Sequence, residues 1–342
     1  MQNYEYLKHD VDKMLELDVE WHKLKDKTIL ITGATGLIGS MLCRILSLMS
    51  AGQNWNLNII AMVRNRNKAE VMLEDVIKNN NITIVEQEMT VETDYIIHTA
   101  CPTKSDFFLK QPVETIMTII DGTNQILEMA KNQKSQSVVY LSSMEVYGEI
   151  LVEKWLKEED LGYLNPLLLR NCYPEGKRAA ELLCISYAGE YQVPVKVARL
   201  AQTFGLGIPA EDNRVFAQFL KSVLTKKDIV LFTDGNAKRM YLDTIDAVSG
   251  ILTILLKGQN GEIYNVAYEE NYCSIKEMAE LVISQFSQGE LRLRIDKSKD
   301  VGQYPPPNML KLDTTKLKNL GWKGQYDLIN MYKRMRTTMI QE

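Results

Sequence analysis

The chain has 342 residues, 45% of them hydrophobic, enough to bury a large core as one big α/β domain or as a large and a small one. Forty basic residues against 44 acidic ones leave a net charge of −4, with no basic footprint, so nucleic acid is excluded as the expected partner. No apolar run reaches ~18 residues, which excludes a transmembrane helix. The N-terminal MQNYEYLKHDVDKMLELD is charged throughout and has no apolar signal core, so a cytoplasmic location is expected. The five cysteines (43, 101, 172, 184, 273) are odd in number and lack C-x-x-C spacing, so they read as reduced thiols. His9, His22 and His98 are scattered and form no metal-binding cluster.

Residues 1–27 precede the first strand. Val11, Met14, Leu15 and Val19 recur at helical spacing, which predicts an amphipathic helix on the outside of the domain or against another subunit. Thr28–Thr32 reads as a buried strand. A glycine-rich turn and a helix follow it, in TILITGATGLIGS. Glycines at 33, 36 and 39 form G-x-x-G-x-x-G, a relative of the dinucleotide fingerprint G-x-G-x-x-G. One glycine tolerates positive φ, one lets backbone approach a pyrophosphate, and one lets the helix pack close to the sheet. The helix N-terminus then faces the anion. Gly33, Thr35, Gly36, Leu37, Ile38 and Gly39 are therefore candidate cofactor contacts. An ordinary strand–turn–helix could carry the same glycines, and the rest of the chain has to decide.

Asn58–Val63 is a second buried strand. A dinucleotide fold places an acidic residue near its end for the adenosine ribose. Arg64 stands there instead, so a 2′-phosphate would be suited and NADP is favoured over NAD; stacking on the adenine is the alternative. Residues 82–85 form a third strand. Residues 95–100 form a fourth, ending in Cys101-Pro102, where Ala100 offers backbone to the cofactor. A helix opens at Gln111-Pro112 and runs through Met129, and residues 137–141 form a fifth strand. Strands alternating with helices predict a doubly wound parallel sheet.

Ser143 follows the fifth strand in a polar turn. Tyr173 comes 30 residues later, and Lys177 lies one helical turn beyond it, on a helix predicted for 175–188. Taking a hydroxyl proton during hydride transfer needs a base, and free tyrosine titrates too high at about 10. A nearby ammonium and a positive nicotinamide ring favour the phenolate, and a serine hydroxyl fixes the pose. Tyr-x-x-x-Lys alone is a common accident. Placed after the glycines and after Ser142-Ser143, it is specific.

TGATGLIG, LSSMEVYG and YPEGK, in that order, resemble the extended short-chain dehydrogenase/reductase family, and within it the nucleotide-sugar epimerases, dehydratases and UDP-glucuronate decarboxylases. The resemblance spans roughly 28–335. It includes Arg199 with Thr203-Phe204-Gly205, Arg239 ahead of Asp243 and Asp246, Tyr264-Asn265-Val266, and Lys316 with Leu320-Gly321-Trp322. CYPEGKRAAE is closest to the decarboxylase branch. The resemblance implies a Rossmann-type α/β fold with a smaller C-terminal α/β substrate lobe. The division is a helical extension over 1–27, a mainly NAD(P)-binding part over 28–200, and a mainly sugar-nucleotide-binding part over 201–342.

The implied chemistry starts with Tyr173 removing the sugar C4 hydroxyl proton while hydride passes to NAD or NADP. The 4-keto sugar is then reduced on its other face, loses water across C5–C6, or, if C6 is a carboxylate, loses CO₂. Ser143, Glu145, Tyr173 and Lys177 are the candidate catalytic residues. Dehydratases carry Asp-Glu after the serine and decarboxylases Ser-Glu. This chain carries Met144-Glu145, and methionine has no proton to donate. Met144 is expected to line the pocket, with Gln202 (where the family has Asn), Arg214 and Arg239 toward the substrate. Tyr147 and Arg170 are weaker candidates. Epimerisation of a nucleoside-diphosphate sugar is the first reading, decarboxylation or 4,6-dehydration the second, and NADPH-dependent ketosugar reduction, which Arg64 favours, the third. A non-catalytic dinucleotide sensor is opposed by the intact Ser143, Tyr173 and Lys177. No metal is implied. A homodimer through the helices around 111–129 and 173–187 is implied, and a loop over 298–308 is expected to close on the nucleotide.

Overall fold

The computed structural model describes residues 2–79, 81–86, 92–103, 105–298 and 308–340. Its main sheet has seven strands: β1 (Thr28–Thr32), β2 (Asn58–Val63), β3 (Ile82–Glu86), β4 (Tyr95–His98), β5 (Ser137–Ser143), β6 (Val195–Leu200) and β7 (Ile263–Val266). All pairings are parallel, in the spatial order β7-β6-β5-β4-β1-β2-β3. The chain therefore winds outward in both directions from β1, as a doubly wound sheet does. TILIT and NIIAMV are near-continuous apolar runs because both faces of the sheet are covered. Ile29 and Ile31 face one core, with Leu42, Ile45 and Leu46 of the helix Leu37–Gln53. Leu30 faces the other, with Ile119 and Ile126 of the helix Pro112–Gln133.

A smaller five-stranded sheet carries Trp155–Leu156, Gln202–Phe204, Lys238–Asp243, Tyr272–Ser274 and Met309–Leu312. Gln202–Phe204 begins two residues after β6 ends, so this sheet starts where β6 leaves the main one. That places it at the carboxyl edge, where ligands of such sheets bind.

Several element bounds differ from the sequence reading. β4 ends at His98, since the chain turns at Thr99 to bond back to β1. β5 runs on to Ser143, so this serine is the last strand residue and not a turn residue. The helix predicted for 175–188 is Cys172–Tyr191, three residues earlier at its start, so Tyr173 lies in its first turn. The strand expected over 290–295 is only Leu293–Ile295. Of the loop expected over 298–308, all but Ser298 and Asn308 lie outside the described residues.

The N-terminal helix Gln2–Leu15 buries Leu7, Val11 and Met14 in the main core. Val19 is buried beyond its end. Asp10 is also buried. It pairs with Arg334 of the helix Leu328–Met339 at 2.6 Å and accepts a bond from the Tyr326 hydroxyl.

One buried lysine makes the stability pH-dependent. Lys196 on β6 donates to Ser137 Oγ at 2.7 Å and to Pro194 O at 3.1 Å. Burial, assisted by the charge of Lys23, pushes its ammonium down from 10.5 to about 8. Below pH 8 both folded and unfolded lysine are charged and the folded state carries the full burial cost. Between about 8 and 10.5 the folded lysine loses its proton first, so this group's contribution to stability rises with pH. Lys196→Met should therefore be more stable than wild type at pH 7, by roughly 1–3 kcal/mol, with the gap closing toward pH 10. Melting curves of both proteins across that range test this; a gap constant with pH would refute it.

Candidate active site

The site is built at the carboxyl ends of β1, β4 and β5. Gly33 has φ +65, and a Cβ on it would lie 2.8 Å from Ala100 Cα and from Thr99 Oγ1. Gly39 lies against the Gly33 carbonyl and Ala34, so a Cβ there would collide with backbone. Gly36 N–H closes the turn onto Gly33 O at 2.8 Å. Gly36 is also the N-cap of the 17-residue helix Leu37–Gln53, and no side chain caps it. The amides of that first turn, beside half-buried Thr35, Leu37 and Ile38, are left to an anion. A cradle that a Cβ would fill and an uncapped helix start fit a dinucleotide pyrophosphate.

A network that the sequence reading did not find locks this turn to the next strand. Thr99 Oγ1 donates to Thr32 O at 2.6 Å, and Ala100 N–H donates to Thr32 Oγ1 at 3.1 Å. Thr32 Oγ1 and His98 Nδ1 are 2.7 Å apart. Burial, with the Lys177 charge in second place, pushes His98 down to about 3, so the ring is neutral at working pH. With the ring neutral, Thr32 Oγ1 donates to a bare Nδ1 or accepts from a protonated one, and either tautomer closes the contact. Both threonines and the histidine were visible in the sequence, but their meeting requires β4 to lie beside β1.

Ser143 ends β5, and its Oγ accepts from Glu145 N–H at 3.2 Å. The Ser143 side chain acts on the Tyr173 phenol in the direction that favours the phenolate. Lys177 is buried. Its Nζ donates to Leu141 O at 2.7 Å and lies 4.6 Å from the Tyr140 ring centre and 6.0 Å from that of Tyr173. Cys101, on the turn after β4, sits against the same ammonium: burial pushes its thiol up and Lys177 opposes this.

The expectation that neighbours lower the tyrosine is reversed in the protein alone. Burial raises Tyr173 well above 10, and the charges of Cys101 and Glu145 add to it. Ser143 and Arg170 act the other way but are outweighed. Arg170 pairs with Glu145 at 3.1 Å, so both weaker and stronger candidates act as one group next to the phenol. Arg178 donates to Val146 O at 2.8 Å and Gly162 O at 2.7 Å, pinning the Glu145 turn to the helix Cys172–Tyr191.

The other candidates fall in different settings. Met144 is buried in the core with Val146. Tyr147 is fully buried and donates to Asn265 Oδ1 at 2.6 Å, a structural bond. Gln202 is half-buried and pairs in register with Tyr241. Arg239 lies two residues before Tyr241 on the same strand face, and its Nε is buried without a partner. Arg214 is committed to Asp212, with Nε–Oδ2 at 3.0 Å. Arg64 is exposed just past β2. Among the described residues, no group of three or more His, Cys, Asp or Glu is placed to hold a metal ion, no helix is long and apolar enough to cross a membrane, and the five cysteines are free.

The model of the NAD dependent epimerase/dehydratase family matches residues 29–267. UDP-glucuronic acid decarboxylase 6 of Arabidopsis thaliana is 29% identical over 306 residues, covering 88% of this chain and 85% of its own. UDP-glucuronic acid decarboxylase 1 of Xenopus tropicalis is 29% identical over 301 residues, covering 87% and 68%. Among solved structures, UDP-glucose 4-epimerase of Thermotoga maritima superposes with TM-score 0.76 at 21% identity, covering 92% of this chain and 99% of its own. A dTDP-glucose 4,6-dehydratase of Streptomyces venezuelae, solved with NAD, gives 0.72 at 23% identity, covering 90% and 96%. Of the two dinucleotides the sequence allowed, the family description names NAD; the preference for NADP drawn from Arg64 finds no support in it. The matched stretch begins within β1 and ends just past β7, so it takes in the glycine turn, Ser143, Tyr173 and Lys177, and the chain belongs to the NAD-dependent epimerase/dehydratase family.

Proposed function

We propose that this nucleotide-sugar-modifying enzyme oxidises the C4 hydroxyl of its substrate transiently and reduces the product again in the same site, as a nucleoside-diphosphate-sugar epimerase. The observation that carries the reading is the buried Tyr173 phenol, with Ser143 acting to favour its ionised form and the Lys177 ammonium 6.0 Å from its ring centre, past an uncapped glycine-rich helix start. The residues to hold NAD are Gly33, Thr35, Gly36, Leu37, Ile38 and Gly39 at the pyrophosphate, Arg64 at the adenosine, and Ala100, Tyr173 and Lys177 near the nicotinamide. When bound, oxidised NAD supplies the hydride acceptor and a positive charge beside the phenol. Tyr173 takes the C4 hydroxyl proton, and Ser143 donates to the same oxygen. Lys177 opposes the burial that keeps the phenol protonated. Met144, Gln202, Arg214 and Arg239 belong to the substrate side. The unpartnered Arg239 Nε supports an anionic ligand there.

Met144 has no proton to give a leaving hydroxyl, which weighs against dehydration. Reduction of the keto sugar on its other face needs no further acid, and that puts epimerisation first. Decarboxylation of a C6-carboxylated sugar is the second reading. The curated relatives' names favour it, and Arg170 offsets the Glu145 charge that would repel such a substrate. We also propose a homodimer through the helices Pro112–Gln133 and Cys172–Tyr191, on which Val113, Met117 and Leu182 are exposed.

The test is to incubate the purified protein with UDP-glucuronate and with UDP-, dTDP-, GDP- and CDP-hexoses, adding no reductant, and to follow products by NMR and mass spectrometry. A C4-inverted sugar supports the first reading. Release of CO₂ with a nucleotide pentose replaces it by the second. A strict need for stoichiometric NADPH overturns both.

A further inference from the structure

We infer that Phe108 is a positioning residue for Tyr173: its ring, stacked on the phenol, sets the ring plane and closes one face to water. The inference rests on Tyr173 being the base proposed above. Phe108 lies in the short helix Ser105–Lys110, ahead of the helix Pro112–Gln133, and is 2% exposed. The two ring centres are 4.5 Å apart and the planes differ by 11°. The Cys172 thiol, one residue before Tyr173, donates to Phe108 O at 3.5 Å. Both the side chain and the backbone of Phe108 therefore bear on the Cys172-Tyr173 pair. Phe108 belongs to the same core as Ile119 and Tyr140, which anchors it from behind.

A core phenylalanine that fills space has no need to lie parallel to its neighbour. Stacked aromatic pairs attract each other beyond their area burial, which restricts the rotation of the phenol. The π face of Phe108 is also a poor environment for a phenolate, because it offers no hydrogen bond and the ring face is electron-rich. This agrees with burial being the largest cause of the raised Tyr173. Phe108 thus has two opposed effects. It aims the phenol at the C4 hydroxyl, and it makes ionisation depend on the charges that Lys177 and the bound cofactor bring.

The variants to compare are Phe108→Leu, which keeps an apolar side chain without a π face, and Phe108→Tyr, which keeps the stacked ring. Melting curves first establish that both are folded. Phe108→Leu should lower kcat at least about tenfold through misplacement of the base, with KM within about twofold. The acidic limb of its kcat pH profile should move down by about one unit as water reaches the phenol. Phe108→Tyr should restore both. A readout independent of turnover is the ultraviolet titration of the Tyr173 phenol, taken as the difference between each protein and its Tyr173→Phe partner. The midpoint should fall by about one unit in Phe108→Leu. An unmoved midpoint and pH profile, with only a lower melting temperature, would show Phe108 to be core filler and overturn the inference. If wild type turns over no sugar nucleotide, the functional reading fails, and the phenol titration still decides this one.

Discussion

Tyr173→Phe is expected to lower turnover by about a thousandfold while changing NAD affinity less than about threefold. General acid–base catalysis contributes typically 10²–10⁴-fold, and phenylalanine keeps the ring while removing the only atom able to take the C4 proton. The ring's packing against Phe108 needs no hydroxyl. The glycine turn, Thr32, His98 and Thr99, which shape the dinucleotide cradle, do not contact that oxygen. Binding and chemistry should therefore separate cleanly. Calorimetric titration with NAD and single-turnover reduction of bound cofactor measure the two. Turnover within tenfold of wild type would overturn the base assignment. Loss of NAD binding would mean that the phenol holds the cofactor and does not only do chemistry.

The largest stability effect is expected at Arg199. Its Nε and Nη2 fork onto Glu181 at 2.9 and 2.7 Å, and Nη1 donates to Glu158 O at 2.6 Å. Both side chains of the pair are almost fully buried, at 2% and 5% exposure. The guanidinium also lies 5.0 Å over the Tyr147 ring. Burial alone would push Arg199 down, but Glu181 outweighs it and holds the guanidinium above its ordinary value. Arg199→Met leaves Glu181 buried and unpaired, at a cost of roughly 3–5 kcal/mol. The double variant Arg199→Met/Glu181→Leu should recover most of that, since a buried pair replaced by apolar groups is often near neutral. Urea unfolding of the two singles and the double tests both statements. A single-variant loss under about 1 kcal/mol would show that water reaches the pair. Glu181 stands one turn beyond Lys177, so the clamp also fixes the rotation of the helix that carries Tyr173 and Lys177.

The residues bearing on Glu145 illustrate how far a sequence can be read. Spacing alone placed Glu145 after Ser143 and Lys177 after Tyr173, because those relations are local to one turn and one helix. Arg178 stood in plain view beside Lys177, yet its bonds to Val146 O and Gly162 O depend on how the helix lies against the turn. Arg170 was a weak candidate for the same reason: its worth comes from Glu145, 25 residues earlier. Phe108 carried no periodic signal at all, and Asp10 meets Arg334 from the opposite end of the chain.

What the sequence determined by itself was the alternation of buried strands and helices, the glycine turn, and the Ser143–Tyr173–Lys177 set. Apolar runs, positive-φ glycine and one-turn spacing act within a few residues and need no partner from elsewhere. What only the tertiary structure decided was the state of the phenol and the rigidity of the cradle. Tyr173 is driven up by burial beneath Phe108 and by Cys101 and Glu145, and desolvation belongs to the packed protein and to no short stretch of chain. Thr32, His98 and Thr99 lock the cofactor turn because strand order sets β4 beside β1, a pairing across 66 residues that local propensity cannot encode.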